Sequence, residues 1–180
     1  MKTLKHLLLI LLIASPLSIL AQSPFDAFEG EDDVTSVIVT KNMFKLLSNL
    51  DLESNDPEAK EYLELINNLD NVKVFTTENQ AVAEKMNTAV DRYLNSAKGL
   101  SQLMRVKEEG NLIRFYAKEG KNENFVSELL MHLNGSEGDK KMTVIMSITG
   151  NIDLKKISKL TKDLDVPGSE KLKDLEKQKS

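Results

Sequence analysis

The chain has 180 residues, 41% hydrophobic and 29% charged, with 24 basic against 28 acidic side chains and a formal net charge of −4. That balance argues against general nucleic-acid binding, which needs clustered positive charge to neutralise phosphates. There is no cysteine and there are only two histidines. Disulfide staples are therefore excluded, and so is a structural zinc site of four Cys or His ligands.

The amino end carries the most specific signal. Lys2 and Lys5, with His6 beside them, precede an apolar run from Leu7 to Ile13 that continues through Leu17, Ile19 and Leu20 and stops at Ala21–Gln22. A basic n-region, an apolar h-region and a small-residue exit make a secretory signal peptide. Ser15, Pro16 and Ser18 interrupt the run, whereas a permanent span wants roughly 20 apolar residues. Cleavage after Ala21 would leave Gln22 as the new terminus, although Ile19 fits the usual small-residue position poorly and the bond stays open. No cysteine follows the run, so a lipoprotein anchor is excluded. The expectation is an exported protein, periplasmic or extracellular, with neither a transmembrane nor a lipid anchor after cleavage. Removing residues 1–21 takes Lys2 and Lys5 and no acid, leaving 22 basic and 28 acidic residues, a net of −6. The remainder fits one domain.

Residues 22–33 read as an acidic, mobile leader, with Glu29, Glu31, Asp32 and Asp33 and no apolar period. They lack the alternating ligand spacing of a calcium loop. Val34 to Thr40 is β-branched and short, a strand. Met43, Phe44, Leu46, Leu47 and Leu50 then recur at helical spacing. Asp56–Pro57 starts a second helix, with an N-cap carboxylate followed by a fixed φ. Its stripe is Tyr62, Leu65, Ile66 and Leu69. Val72 to Thr76 is a second strand. Thr77-Glu78-Asn79-Gln80 reads as a capping box opening a helix along Val82, Met86, Ala89, Val90 and Tyr93, which Gly99 closes.

Four alternating segments follow as a meander. They are Gln102 to Lys107, Asn111 to Lys118, Phe125 to Leu133, and the strand carrying Met142, Val144, Met146 and Ile148 on one face. Asn134-Gly135 gives a hairpin signal. Residues 125–133 are also rich in helix formers, so a helix there stays open. Asp153 caps a last helix carrying Leu154, Ile157, Leu160 and Leu164, which Pro167-Gly168 stops. The fold class expected is α+β, in the order β-α-α-β-α-β-β-β-β-α. The sheet is antiparallel-dominated and includes the four-stranded C-terminal meander, with helices packed on one face. The first two strands, joined through helices, are candidates for parallel neighbours. The domain spans 34–166, and 167–180 is a charged tail.

The stretch Val144-Ile-Met-Ser-Ile-Thr-Gly-Asn-Ile-Asp-Leu-Lys-Lys-Ile-Ser-Lys-Leu carries a resemblance. With Val39-Thr-Lys-Asn-Met-Phe-Lys-Leu-Leu and Val166-Pro-Gly-Ser-Glu-Lys-Leu, it resembles the domain-of-unknown-function family 4252, over about residues 34–175. The resemblance implies a small exported protein of a Gram-negative bacterium. It points to envelope regulation, because such proteins occur beside extracytoplasmic sigma factors. It carries over no activity, catalytic residue or cofactor. Many members look lipid-anchored, and this chain lacks the cysteine for that.

Little chemistry is legible beyond this. His132, beside Glu128 two residues away, is the one histidine left after cleavage and reads as a surface residue; it has no partner set for a metal or a triad. Paired carboxylates arise by chance among 28 acids. Lys155, Lys159 and Lys162 mark the wet face of the last helix. Met131, Met142 and Met146 share a face, as core filler or as an adaptable surface. No catalytic, cofactor-binding or metal residue is assigned and no cofactor is expected. The leading expectation is a non-enzymatic exported domain that binds a protein partner or a surface in the cell envelope, through a free second sheet face with Leu130, Ile145 and Met104 or Val106. A hydrolase using a carboxylate pair and a carrier of an apolar ligand are the alternatives.

Overall fold

The computed structural model describes residues 23–50, 57–108, 110–122, 125–137, 140–157 and 165–172. Its elements are β1 (Thr35–Thr40), α1 (Lys41–Leu50), α2 (Pro57–Asn67), β2 (Leu69–Thr77), α3 (Gln80–Ser96), β3 (Leu100–Glu108), β4 (Asn111–Glu119), β5 (Phe125–Glu137) and β6 (Lys140–Asp153). Short 3-10 turns lie at Asp26–Phe28 and Ser169–Lys171. This is the expected α+β order. The residues 125–133 are strand, because alternate residues of β5 bury against two different layers. Where the last helix was expected, Leu154–Lys156 form a turn in which Asp153 Oδ1 accepts the Lys155 N–H at 2.9 Å, and Leu154 and Ile157 are buried. The remainder of the expected helix, with Lys159, Leu160, Lys162 and Leu164, lies outside the described residues.

The six strands form one sheet in the order β1-β2-β6-β5-β4-β3, every neighbouring pair antiparallel. The meander is β3 to β6, and β2 joins its far edge through β6. The parallel alternative for β1 and β2 fails for a geometric reason. Two helices connect them, α1 leading away and α2 leading back. Ser48 Oγ reaches Asn67 Oδ1 at 2.5 Å across the pair. The chain re-enters the sheet at the end it left, so β2 must run opposite to β1, with Val37 against Val74.

Helices cover both faces, which corrects the one-sided expectation. One face carries α1, α2 and the C-terminal segment over Val72, Val74, Phe115, Leu129, Met131, Met146 and Ile148. The other carries α3 and the 3-10 turn at Asp26–Phe28. There Phe25, Phe28, Val82, Met86 and Val90 close over Phe75, Leu130 and Ile145. Leu130 and Ile145 are therefore not a free patch; both are fully buried. Every residue from Met142 to Ile148 is buried. A strand covered on both sides loses the apolar–polar alternation, and the sequence carries this as Val144-Ile145-Met146 between Thr143 and Ser147. The three methionines Met131, Met142 and Met146 are core filler.

Both ends of the expected domain also shift. Phe25 has no exposed surface, and the leader's acids are spread over separate partners. Asp26 and Glu29 meet Lys73, Glu31 meets Lys85, and Asp33 Oδ2 accepts from Asn79 Nδ2. Residues 23–33 thus belong to the fold instead of forming a solvated arm. At the other end Val166, Ser169 and Leu172 are buried, so the domain runs past 166 into the expected tail.

Two local readings move as well. The cap of α3 is Asn79, whose side chain accepts from the N–H groups of Ala81 and Val82 at 2.9 and 3.2 Å. Thr77 is still in the β2 ladder opposite Thr143. Its hydroxyl donates to the Asp33 carbonyl at 2.7 Å. Asn134-Gly135 is not a turn but an interior part of β5, paired with Thr143 and Met142. Gly135 is required there because a Cβ would lie 1.9 Å from Asn111 Oδ1, the atom that accepts the Ser136 N–H at 2.7 Å.

Candidate functional site

Two surfaces stand out, and neither is the one the sequence suggested. The first is a polar cleft of about 340 Å³ between the leader, the end of α3 and the second sheet face, lined by Ser23, Asp26, Lys73, Tyr93, Glu128 and Ser147 among others. The leader turn places Asp26 over β2, where its carboxylate holds Lys73 Nζ at 2.5 Å, with Glu29 at 2.8 Å. Burial works to lower the Lys73 pKa, but the two carboxylates outweigh it and raise it. Lys73 is therefore a fixed ammonium and not a nucleophile. Tyr93 comes from α3 and packs edge-on against Phe25 with ring centroids 5.6 Å apart. Its oxygen lies 2.7 and 2.8 Å from the two oxygens of Glu128. Burial first, and then the Glu128 carboxylate, push the Tyr93 pKa up, so the phenol keeps its proton. Each charged side chain of this cleft has a partner, Lys73 between Asp26 and Glu29 and Glu128 at the Tyr93 hydroxyl. Their geometry fastens the leader to the sheet.

His132 does not enter that cleft. It is 3% exposed, under α3, not on the surface as expected. Its Nε2 lies 2.7 Å from Asn87 Oδ1, and its Nδ1 has no hydrogen-bond partner among the described residues. Burial, and then the charge of Arg114 on β4, lower its pKa from 6.5 to about 4, while Asp91 on α3 works the other way. The ring is neutral at physiological pH. Glu128, its sequence neighbour at two residues, is taken by Tyr93. Among the described residues no three His, Asp or Glu side chains come together as a metal site, and no helix is long and apolar enough to cross a membrane.

The second surface is apolar and lies at the outer edge of the sheet. No strand flanks β1 on its outer side among the described residues. The stripe of α1 expected to be buried is mostly outside: Met43 is 51% and Leu46 61% exposed, Leu47 is exposed as well, and Phe44 alone of the apolar residues described turns in to the core. Val37 and Ile38, on opposite faces of β1, are both exposed. The strand reads Thr-Ser-Val-Ile-Val-Thr and keeps a regular register with β2. Edge strands are ordinarily guarded by a charge, a proline or a bulge. β1 has none of these. Helical spacing marked the α1 stripe in the sequence. What sequence could not show was that α1 sits at the sheet margin, with too little sheet beneath it to bury the stripe.

A family profile described as a domain of unknown function, DUF4252, matches residues 28–160. The chain belongs to that family. The DUF4252 match takes in β1, α1 and Lys73, Tyr93 and Glu128 of the cleft, and begins after Phe25 and Asp26. No curated protein matches the chain. Among solved structures, the unliganded R-hydratase PhaJ1 from Pseudomonas aeruginosa is similar at 8% identity, over 67% of this chain and 79% of that one, with a TM-score of 0.16. So loose a superposition carries no argument about this DUF4252 protein.

Proposed function

We propose that the protein is an exported, non-enzymatic binding domain of the cell envelope that docks a protein partner along the β1–α1 edge. The observation that carries this is the exposed apolar surface of Val37, Ile38, Met43, Leu46 and Leu47 beside an unguarded strand edge. Exposed apolar surface on a folded domain marks an interaction site, and an open strand edge offers main-chain hydrogen bonds to an extended partner. Export is supported by Lys2 and Lys5 ahead of the Leu7–Leu20 run. A link to envelope regulation rests on what the family resemblance implies, the occurrence of such proteins beside extracytoplasmic sigma factors. The non-enzymatic reading is supported by the cleft, where Lys73 is held by Asp26 and Glu29 and Tyr93 by Glu128.

Two measurements test the reading. Cells expressing the native gene are fractionated and the amino terminus of the protein is determined. A terminus at or near Gln22 outside the cytoplasm is expected, and intact Met1 in the cytoplasm would sink the export half. A photo-crosslinking residue is then placed at position 46 in the living cell. Crosslinks that vanish when Val37→Lys is added are expected; a surface that captures nothing would sink the docking half.

A further inference from the structure

The edge has a feature that narrows its occupant, on the reading just given that the edge docks a partner. β1 is uncharged from Thr35 to Thr40, with acidic residues just before it and basic ones just after: Asp32 and Asp33 precede it, Lys41 and Lys45 follow. A strand flanked in this way is complementary to itself when run antiparallel. We propose that β1 of one copy pairs antiparallel with β1 of a second copy about a two-fold axis at Val37, joining two six-stranded sheets into a continuous one.

The register follows from strand geometry. Along a strand the N–H and C=O groups point alternately to one side and the other, and facing residues of an antiparallel pair present theirs alike. A strand pairing with its own copy must therefore pair residues of the same parity, so the axis passes through a residue and not between two. Val37 and Ile38 are the central choices. An axis at Ile38 sets Ser36 against Thr40 and Val37 against Val39. An axis at Val37 sets Ser36 against Ile38 and Thr35 against Val39, and carries Asp33, just before each strand, toward Lys41, the first residue of α1, of the other copy. Both side chains are exposed. Lys41 also holds Asp70 at 2.6 Å, and a lysine ammonium has three donors to share. No like charges oppose each other within the strand.

The apolar surface fits the same arrangement. Val37 lies on the face covered by α1 and α2, since its partner Val74 belongs to that core. A two-fold axis perpendicular to the sheet keeps that face on one side. The α1 helices of both copies then stand on the same side of the seam, where exposed Met43, Leu46 and Leu47 gain apolar cover. A C2 contact uses one patch on both copies, residue for residue.

The chain from Gln22 to Ser180 tests this, because it contains no cysteine and single introduced thiols report cleanly. Sedimentation equilibrium is expected to show a dimer. Val37→Lys and, separately, Leu46→Glu should convert it to a monomer; urea unfolding checks that each variant is folded, and either position alone suffices. Val37→Cys should form an interchain disulfide on mild oxidation, and Ile38→Cys, set against Ser36, should not. A wild-type monomer up to the solubility limit overturns the proposal. So does a dimer that survives both charged substitutions, or one that crosslinks through Ile38→Cys instead. A monomer whose position 46 crosslinks to a different protein in cells overturns self-pairing and leaves the edge-docking reading standing. Loss of every crosslink removes both.

Discussion

His132 is the sharpest test of the buried second face. The unprotonated ring sits under α3 with Nε2 donating to Asn87 Oδ1 and Nδ1 bare. Protonation would place a buried cation among Asn87, Arg114 and Asp91, with no acceptor for the new N–H. The folded pKa is about 4 against 6.5 in a free side chain. The sign follows from which state binds the proton. Above pH 6.5 neither state does and nothing is lost. Below 6.5 the unfolded chain takes it up while the folded chain resists, so stability falls with pH until the folded pKa is reached. At about 1.4 kcal/mol per pH unit, the loss is about 2 kcal/mol at pH 5 and about 3 kcal/mol by pH 4. Carboxylates titrate in the same range, so the measurement is a difference. Urea unfolding of wild type and His132→Gln is compared at pH 7 and pH 5. The wild-type advantage over the variant should shrink by about 2 kcal/mol between them. In a chain that begins at Gln22 and so lacks His6, His132 is the single histidine, and its ring gives one unambiguous proton resonance to titrate. A pH-independent difference, or a ring titrating near 6.5, would refute the buried placement.

Other substitutions probe other parts of the fold. Phe25→Ala should cost about 3–5 kcal/mol in denaturant unfolding, as for a fully buried phenylalanine, and a cost within a few tenths would return residues 23–33 to the role of a loose arm. Asn79→Ala should cost about 1 kcal/mol by removing the α3 cap, while Thr77→Ala should leave the bonds from Ala81 and Val82 to Asn79 in place and act through the two lost bonds of its hydroxyl, to the Asp33 carbonyl and from the Asn79 N–H; hydrogen exchange at Ala81 and Val82 separates the two. Gly135→Ala should destabilise by about 1–3 kcal/mol through overpacking against Asn111, with much of that cost relieved in an Asn111→Ala background. If the double mutant cycle shows no coupling, the close approach is wrong.

Element types were legible because periodicity and capping residues are local. The strands of the meander and the three helices follow from alternation, from i, i+3, i+4 spacing, and from Asp56–Pro57 and Gly99. The layer arrangement was less legible. Alternation at Phe115 and Ala117 pointed to one covered face. The apolar triplet Val144-Ile145-Met146 announced two, and reading the even positions of the strand alone hid Ile145. Phe25 and Phe28 lie in a short acidic stretch with no period, since two aromatic anchors on a 3-10 turn need none. His132 looked like a surface residue because its neighbours Leu129, Met131 and Leu133 face the other layer; only the helix crossing above it, known from three dimensions, makes it buried. The α1 stripe was visible, but helical spacing records an apolar face and not whether the molecule covers it.

The central position of β6 has a consequence for the order in which the molecule can be assembled. β2 pairs only with β1 and β6, and its ladder to β6 runs from Leu69 against Gly150 to Thr77 against Thr143. The chain emerges from the ribosome amino end first, so β1, α1, α2 and β2 exist long before the strand they need. The contacts of β3 to β6 are nearest-neighbour hairpins with short loops to close, whereas the β2–β6 seam joins residues as distant as Leu69 and Gly150 and must meet a larger entropic cost of closure. The meander therefore organises first, and the amino-terminal third is drawn onto it last. Until residues 143–150 have been made, β2 has a vacant edge and Phe75 lacks its Ile145 neighbour. The interval of greatest exposure to aggregation falls on the third of the chain that is synthesised first, and a truncation before residue 143 leaves that third with no strand to join.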